Sequence, residues 1–150
     1  MRNGFTLIEI LIVISITTAL AIGGTLNYLG LRDKKALDSM VSLVIFDLRS
    51  ASVKSKAQEN DMQWGIRFTN GSSDYYELWR GVSYSDPLGA KVKKVPLSLV
   101  KFIDPIEGSS KDVIFQRATG LPLAASVITI ANRSSRERTI TINANGRIDY

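Results

Sequence analysis

A long stretch without charged side chains follows Glu9 and constrains this 150-residue chain more than any other feature. The run over residues 10–22 is strongly apolar, and the next charged residue after Glu9 is Arg32. As an α-helix, roughly 22 residues at about 1.5 Å each extend about 33 Å, which is enough to cross the hydrocarbon core of a bilayer. The sequence therefore predicts a membrane helix near the start of the chain.

Glu9 is the one charged residue between residues 5 and 31. An ionised carboxylate at membrane depth is costly, so it is interpreted as a functional group that has a partner. A second interpretation places Glu9 near the lipid headgroups, where its carboxylate would only cap the first turn of the helix.

A secretory signal peptide is an alternative interpretation of the same segment. Arg2 provides a short basic start, and Ala19-Leu20-Ala21 is similar to a small-x-small cleavage site. Two observations favour a retained helix instead. Glu9 interrupts the apolar region at its start, and the helical pattern continues well beyond Ala21.

A compact motif lies at the start of the chain: Gly4-Phe5-Thr6-Leu7-Ile8-Glu9, with a short basic leader before it and the apolar helix after it. Its glycine precedes an aromatic residue, and its glutamate follows that residue by four positions. This combination resembles the prepilin processing site of the type IV pilin superfamily, which includes pilins and the pseudopilins of type II secretion. The resemblance implies cleavage after Gly4 by a prepilin peptidase and N-methylation of Phe5.

The resemblance also implies partners. Glu9 would meet the α-amino group that cleavage creates on Phe5 of a neighbouring subunit, because opposite charges attract strongly at low dielectric. The other expected partners are the peptidase, which is also the N-methyltransferase, further pilins or pseudopilins along the helix, and an assembly platform in the inner membrane. The chain would cross the cytoplasmic membrane once, with its C-terminal head outside the cytoplasm, before it joins a pilus or pseudopilus.

Three segments are expected: a leader at residues 1–4, a transmembrane or filament-core helix at 5–31, and one small globular head at 32–150. No cysteine or histidine is present, which excludes disulfides and removes the commonest general base. A calcium site needs several close oxygen ligands, and Asp149 has only Asn143 and Asn145 as candidates beside it. We expect no enzymatic activity, no cofactor and no metal site.

The helix is expected to continue into the head. The pattern becomes amphipathic from Arg32, and no proline interrupts the chain between residue 5 and about residue 58. The apolar positions recur at helical spacing, and they are Leu37, Val41, Val44, Leu48 and Ala51, with Met40 and Ile45 beside them. The second half of one long helix is therefore predicted to pack against a sheet.

Gly23-Gly24 lies in the middle of this predicted helix, where each glycine costs about 1 kcal/mol relative to alanine. Many pilins carry a helix-breaking proline near position 26, and this chain has Leu26 there. Two interpretations stay open: the glycines let the helix bend or melt on assembly, or they allow close packing against a neighbouring helix.

The head is predicted to be β beyond Asn60. A first hairpin is expected across the Asn70-Gly71 turn, with strands at residues 63–68 and 75–80. A second hairpin is expected between residues 127–131 and 138–142. Shorter strands are expected at 91–95, 99–103, 113–115 and 147–150. The predicted fold class is α+β, with one long helix packed on a small antiparallel sheet head.

Motifs within the head narrow the resemblance. They are Asp47-Leu48-Arg49-Ser50-Ala51, the strand that ends at Phe68, residues 75–81, Phe115 with Gly120, and the closing stretch over residues 140–148. Together they resemble the H-type minor pseudopilins of type II secretion and the related FimT minor pilins. That resemblance implies two small antiparallel sheets on the helix and a low-abundance subunit near the tip of a pilus or pseudopilus.

A DNA-binding or adhesive minor pilin is the alternative function. FimT-like minor pilins bind DNA through a basic C-terminal Gly-Arg-x-Arg signature, whereas this chain has Gly146-Arg147-Ile148-Asp149, with an acid in place of the second arginine. The neighbouring hairpin carries three further arginines, Arg133, Arg136 and Arg138. Together with Arg147 they would form a basic patch for phosphate contacts. The competing interpretation is a solvated hairpin loop, because neutral and acidic residues dilute the charge. The net charge of +5 neither demands nor excludes nucleic acid.

Overall fold

One helix, α1 (Leu7–Lys56), extends over 50 residues and carries the head on its second half. The computed structural model describes residues 6–150, with the backbone alone at 22–27 and 29. The prediction of an uninterrupted helix is confirmed over Leu7–Lys56, a range that includes Gly23-Gly24. Whether the glycines bend, melt or pack closely on assembly stays a prediction.

The two halves of α1 have opposite surroundings. The predicted apolar stripe from Leu37 to Ala51 is buried, with each of its core side chains no more than 5% exposed. The large apolar side chains between Leu7 and Leu20 are instead more than half exposed. The head therefore covers only the second half of the helix.

The structure also bears on the predicted membrane segment. Among the residues whose side chains are described, no helix has both the length and the apolar character that a membrane crossing needs. The proposed division into residues 1–4, 5–31 and 32–150 stays a prediction.

The head contains two antiparallel sheets, each built from four of the eight strands in the described part of the chain. The strands are β1 (Trp64–Thr69), β2 (Tyr75–Arg80), β3 (Ala90–Pro96), β4 (Val100–Asp104), β5 (Ser110–Phe115), β6 (Ser126–Asn132), β7 (Glu137–Ile142) and β8 (Ile148–Asp149). The first sheet has the order β3-β2-β1-β5, and the second has the order β4-β6-β7-β8. The predicted α+β class, with two sheets on one helix, is confirmed.

Both predicted hairpins form. Phe68 of β1 lies opposite Tyr76 of β2, and Ile128 of β6 lies opposite Ile140 of β7. The strand predicted at 113–115 is longer than expected, because β5 pairs with β1 along its whole length. A three-residue apolar run could not reveal this long-range pairing.

Alternating side chains of both sheets face α1 and form one core. Trp64, Ile66 and Phe68 of β1 are buried in it, as their spacing predicts. The Phe68 ring also meets the Phe102 ring of the second sheet edge to face, with 5.7 Å between ring centroids. This aromatic contact connects the two sheets inside the core.

Two polar side chains of α1 form hydrogen bonds with the first sheet. The buried Ser55 hydroxyl accepts a hydrogen bond from the backbone N–H of Trp64 at 2.7 Å and donates one to the Phe115 carbonyl at 3.1 Å. The buried Asp47 carboxylate accepts hydrogen bonds from the Tyr76 hydroxyl and from Lys93 Nζ, each at 2.7 Å. Burial and this hydrogen bond raise the pKa of Tyr76, so the phenol stays a donor. These contacts satisfy groups that would be costly if buried alone.

Side chains of the β1–β2 turn connect the two sheets at the edge of β4. The Phe102 N–H donates to Asp74 Oδ2 at 2.7 Å, and the Phe102 carbonyl accepts from Asn70 Nδ2 at 3.1 Å. Both backbone groups of one edge residue are thus satisfied by side chains in place of a neighbouring strand. This arrangement covers an edge that would otherwise be open to pairing with another chain.

Trp79 lies on the face of the first sheet that points away from α1. Its ring lies against Gly65, where an added Cβ would come within 2.7 Å of it, and the Tyr84 ring packs on it edge to face. Arg67 lies over the other side of this cluster, with its guanidinium carbon 3.7 Å from the Tyr84 ring centroid. Trp79 is therefore buried within its own head, although it lies on the outer face of the sheet.

We predict that Gly120→Ala destabilises the head. Gly120 has a φ of +68°, and an added Cβ would lie 2.6 Å from the Ser52 carbonyl oxygen and 3.0 Å from Lys56 Cβ. Because the backbone of α1 cannot yield easily, the free energy of unfolding should fall by about 1–3 kcal/mol. Urea unfolding in detergent, followed by tryptophan fluorescence, measures this change.

Gly71→Ala is the matched control. A Cβ at Gly71 would meet nothing within 4 Å, so its substitution should change the free energy of unfolding by less than about 1 kcal/mol. Equal losses for the two variants would contradict the close contact between Gly120 and the helix.

Candidate functional site

The N-terminal motif is described from Thr6 onward, and Gly4 and Phe5 lie outside the described residues. Thr6 is the N-cap of α1 and has an extended backbone. Its hydroxyl accepts a hydrogen bond from the Glu9 N–H at 3.3 Å, and Glu9 Oε2 accepts one from the Thr6 N–H at 3.1 Å. This reciprocal pair is a capping box, which fixes the start of the helix within the motif itself.

Glu9 therefore has the geometry of the capping interpretation. Its hydrogen bonds with the Thr6 N–H and hydroxyl both use the oxygen Oε2. A carboxylate has two oxygens and can accept several hydrogen bonds, so the cap does not prevent a second partner. The pairing of Glu9 with an α-amino group of Phe5 in a neighbouring subunit stays a prediction.

Three hydroxyl groups in the apolar part of α1 are satisfied within the helix, a feature that was not predicted from the sequence. Ser15, Thr17 and Thr18 donate to the carbonyls four residues earlier, at 2.8, 2.8 and 2.7 Å. Each hydroxyl proton is thus used within the helix, which lowers the cost of placing these residues in an apolar environment. The signal was available in the sequence, because serine and threonine in a helix commonly bond back to the preceding turn.

Four arginines were candidates for nucleic-acid contact, and the structure separates one from the others. Arg133 and Arg136 lie in the turn before β7, and Arg138 lies at its start. Arg147 lies in the turn after β7. The six residues of β7 extend about 20 Å, so Arg147 is about that far from the hairpin arginines. The hairpin arginines therefore share one end of the second sheet, and Arg147 belongs to the opposite end.

Acidic partners partly neutralise these arginines. Arg138 Nε is 3.4 Å from Asp38 Oδ1 on α1, and Arg147 Nε is 2.7 Å from Asp149 Oδ1. Asp149 also accepts a hydrogen bond from Asn143 Nδ2 at 2.9 Å. Within residues 6–150, no group of three or more acidic side chains has an arrangement that could hold a metal ion.

Comparison with known families identifies the N-terminal segment. Residues 1–25 match the family described as the prokaryotic N-terminal methylation motif, which is the type IV pilin signal. The match supports a type IV pilin-like chain and implies a membrane-anchored precursor that a prepilin peptidase processes. Comparisons with curated proteins and with solved structures give no significant match. The family match thus describes the signal and the start of α1, and it does not extend to the head.

We predict that two substitutions separate the two roles of Glu9. Glu9→Gln keeps an acceptor for the capping box and removes the charge, whereas Thr6→Val removes the capping hydroxyl and keeps the charge. If Glu9 pairs with a neighbour's α-amino group, Glu9→Gln should lower incorporation into filaments by about tenfold or more. Thr6→Val should then leave incorporation within about twofold of the unsubstituted chain, since a lost cap costs little. The measurement is the fraction of chain in sheared filaments relative to membranes.

The reverse ranking would contradict the pairing. If Thr6→Val abolished incorporation and Glu9→Gln did not, the carboxylate would act only as a cap.

Proposed function

We propose that this chain is a minor pilin-like subunit, made as a membrane-inserted precursor, cleaved after Gly4 and N-methylated on Phe5. It is then assembled through its N-terminal helix into a type II secretion pseudopilus or a type IV pilus, at or near the tip. Its head faces away from the cytoplasm. The subunit acts by occupying a position in a filament and not by catalysis.

The observation that carries this proposal is the methylation motif at residues 1–25, which continues directly into α1. Between Leu7 and Leu20 that helix exposes its large apolar side chains, and its second half buries the apolar stripe under the head. An exposed apolar helix needs either lipid or neighbouring helices around it. A membrane precursor that later joins a helical filament supplies the two environments in turn.

The architecture of the head supports the minor-subunit assignment. Two four-stranded antiparallel sheets on one helix are what the resemblance to H-type minor pseudopilins and FimT minor pilins implies. The motif alone fits pilins and pseudopilins equally, and the head resembles minor subunits of both filaments, so the proposal includes both.

The alternative, a DNA-binding or adhesive minor pilin, has weaker support. DNA binding by the four predicted arginines needs Arg147 and the hairpin arginines on one surface, and β7 holds them at opposite ends. The C-terminal stretch also pairs Arg147 with Asp149. We therefore favour a structural role in the filament.

The mature N-terminus tests the proposal. Mass spectrometry of the chain recovered from membranes of cells with a prepilin peptidase should give N-methyl-Phe5 as the first residue. Cells without the peptidase serve as the control and should yield the full precursor. A start at Met1 in both strains would indicate a plain signal anchor, and a start near Ile22 a conventional signal peptide. Either of those results would overturn the proposal.

A further inference from the structure

A collar of cationic side chains surrounds α1 where the helix enters the head. Its six members come from the helix and from the β6–β7 hairpin, and they are Arg32, Lys34, Lys35, Arg133, Arg136 and Arg138. All six are exposed. On the helix, successive residues rotate by about 100°, so the three helical cations point to different sides. The hairpin adds its three arginines on the side of the head.

Contacts between the hairpin and the helix hold the collar together. The Ser134 hydroxyl donates to Asp33 Oδ2 at 3.4 Å, and Arg138 Nε lies 3.4 Å from Asp38 Oδ1. The side chains of Lys34 and Arg136 line one cleft between the two elements. The turn is itself fixed, because Asn132 Oδ1 accepts hydrogen bonds from the N–H groups of residues 134 and 136, each at 3.0 Å.

The collar holds much of the chain's excess charge. Segments 32–38 and 132–138 contain six cations and three acids, which leaves a net charge of +3. The whole chain has a net charge of +5. More than half of the chain's net positive charge thus lies in these fourteen residues at one end of the head. Such a concentration of charge attracts an anionic surface.

The collar lies directly beyond the apolar half of α1. Tyr28 and Leu31 are 66% and 52% exposed, and the first cation follows at Arg32. Along the helix the order is therefore apolar, aromatic and cationic, which is the order of a bilayer from its core to its headgroups. Lysine and arginine can extend apolar stems along the lipid and keep their charges at the phosphates.

We propose that the collar binds the phosphate groups of anionic lipids in the membrane-anchored precursor and holds the head against the membrane surface. This inference rests on the proposed function, because it needs the first half of α1 in a bilayer. Guanidinium groups match the oxygens of a phosphate in pairs, and the ammonium groups add attraction without fixed geometry. Nucleic acid presents the same phosphates, but half of the collar lies on the helix next to the apolar segment, where a bilayer is the adjoining surface.

The absence of cysteine from the chain allows a site-specific measurement. Ser135→Cys places a single fluorophore on the hairpin of the collar and keeps the Ser134 hydroxyl that contacts Asp33. Thr119→Cys places one at the other end of the head, because the adjacent Gly120 contacts Ser52 and Lys56, about 27 Å further along α1 than Lys34. The full chain is reconstituted in phosphatidylcholine vesicles with and without phosphatidylglycerol. Quenching by lipids with spin-labelled headgroups then reports how close each fluorophore lies to the surface.

We expect stronger quenching at position 135 when phosphatidylglycerol is present, and little change at position 119. Arg133→Gln with Arg136→Gln should lower the ratio of docked to undocked heads by roughly tenfold or more, and added salt should weaken docking in the unsubstituted chain. The matched control removes two exposed cations from β3 by Lys91→Gln with Lys94→Gln, and it should leave docking unchanged. Circular dichroism confirms that each variant is folded.

Three results would overturn the inference. The first is equal quenching at position 135 with both lipid compositions, and the second is an equal loss of docking in the β3 control. The third is arginine-dependent binding of duplex DNA by the chain in phosphatidylcholine vesicles at salt concentrations that abolish docking to phosphatidylglycerol. Failure of the proposed function is seen separately. Alkaline carbonate would extract the chain from vesicles of either composition if α1 were not a membrane anchor, and the mature N-terminus reports whether the precursor is processed.

Discussion

The burial of one apolar stripe on α1 is the constraint on which the rest of the head depends. Leu37, Val44, Leu48 and Ala51 are fully buried or nearly so, and both sheets contribute side chains to the same core. Within residues 6–150, neither four-stranded sheet has another helix of comparable size to cover its inner face. The helix therefore acts as the common surface on which both sheets are stable, and the hydrophobic effect supplies the driving force.

Apolar packing alone would allow the sheets to slide along the helix, and polar contacts fix their position. Ser55 connects α1 to both β1 and β5, and Asp47 connects it to β2 and β3. Gly120 brings another segment into direct contact with the helix backbone. Each contact is satisfied in one alignment only, so together they select a single arrangement from the many that a hydrophobic stripe would tolerate.

The exposed half of α1 follows a different rule, because its side chains have no core of their own. From Thr6 to Thr18 its polar side chains are bonded locally, by the capping box of Thr6 and Glu9 and by the hydroxyls that donate to the preceding turn. Over these residues the helix needs no contact with the head to satisfy its side-chain hydrogen bonds. It can therefore exchange lipid for neighbouring helices, which is what the proposed passage from membrane to filament requires.

The sequence by itself determined the features that depend on local periodicity and on adjacent residues. The uninterrupted helix, its buried stripe and the two hairpins follow from three-to-four spacing, alternation and turn residues, and all are present. The N-terminal motif was equally visible because its residues are contiguous, and residues 1–25 match the family of the prokaryotic N-terminal methylation motif. The capping box of Glu9 matches one of the two interpretations that the sequence offered, and its pairing with a neighbouring subunit stays a prediction.

Only the tertiary structure decided the features that depend on residues distant in the chain. The pairing of β5 with β1 gave the first sheet its order, and β7 placed Arg147 at the opposite end from the hairpin arginines. Trp79 became buried on the outer face because Gly65 leaves room for its ring and Tyr84 covers it. Alternation along a strand shows which residues share a face, but strand register and the loops that fold over the sheet decide whether that face is covered.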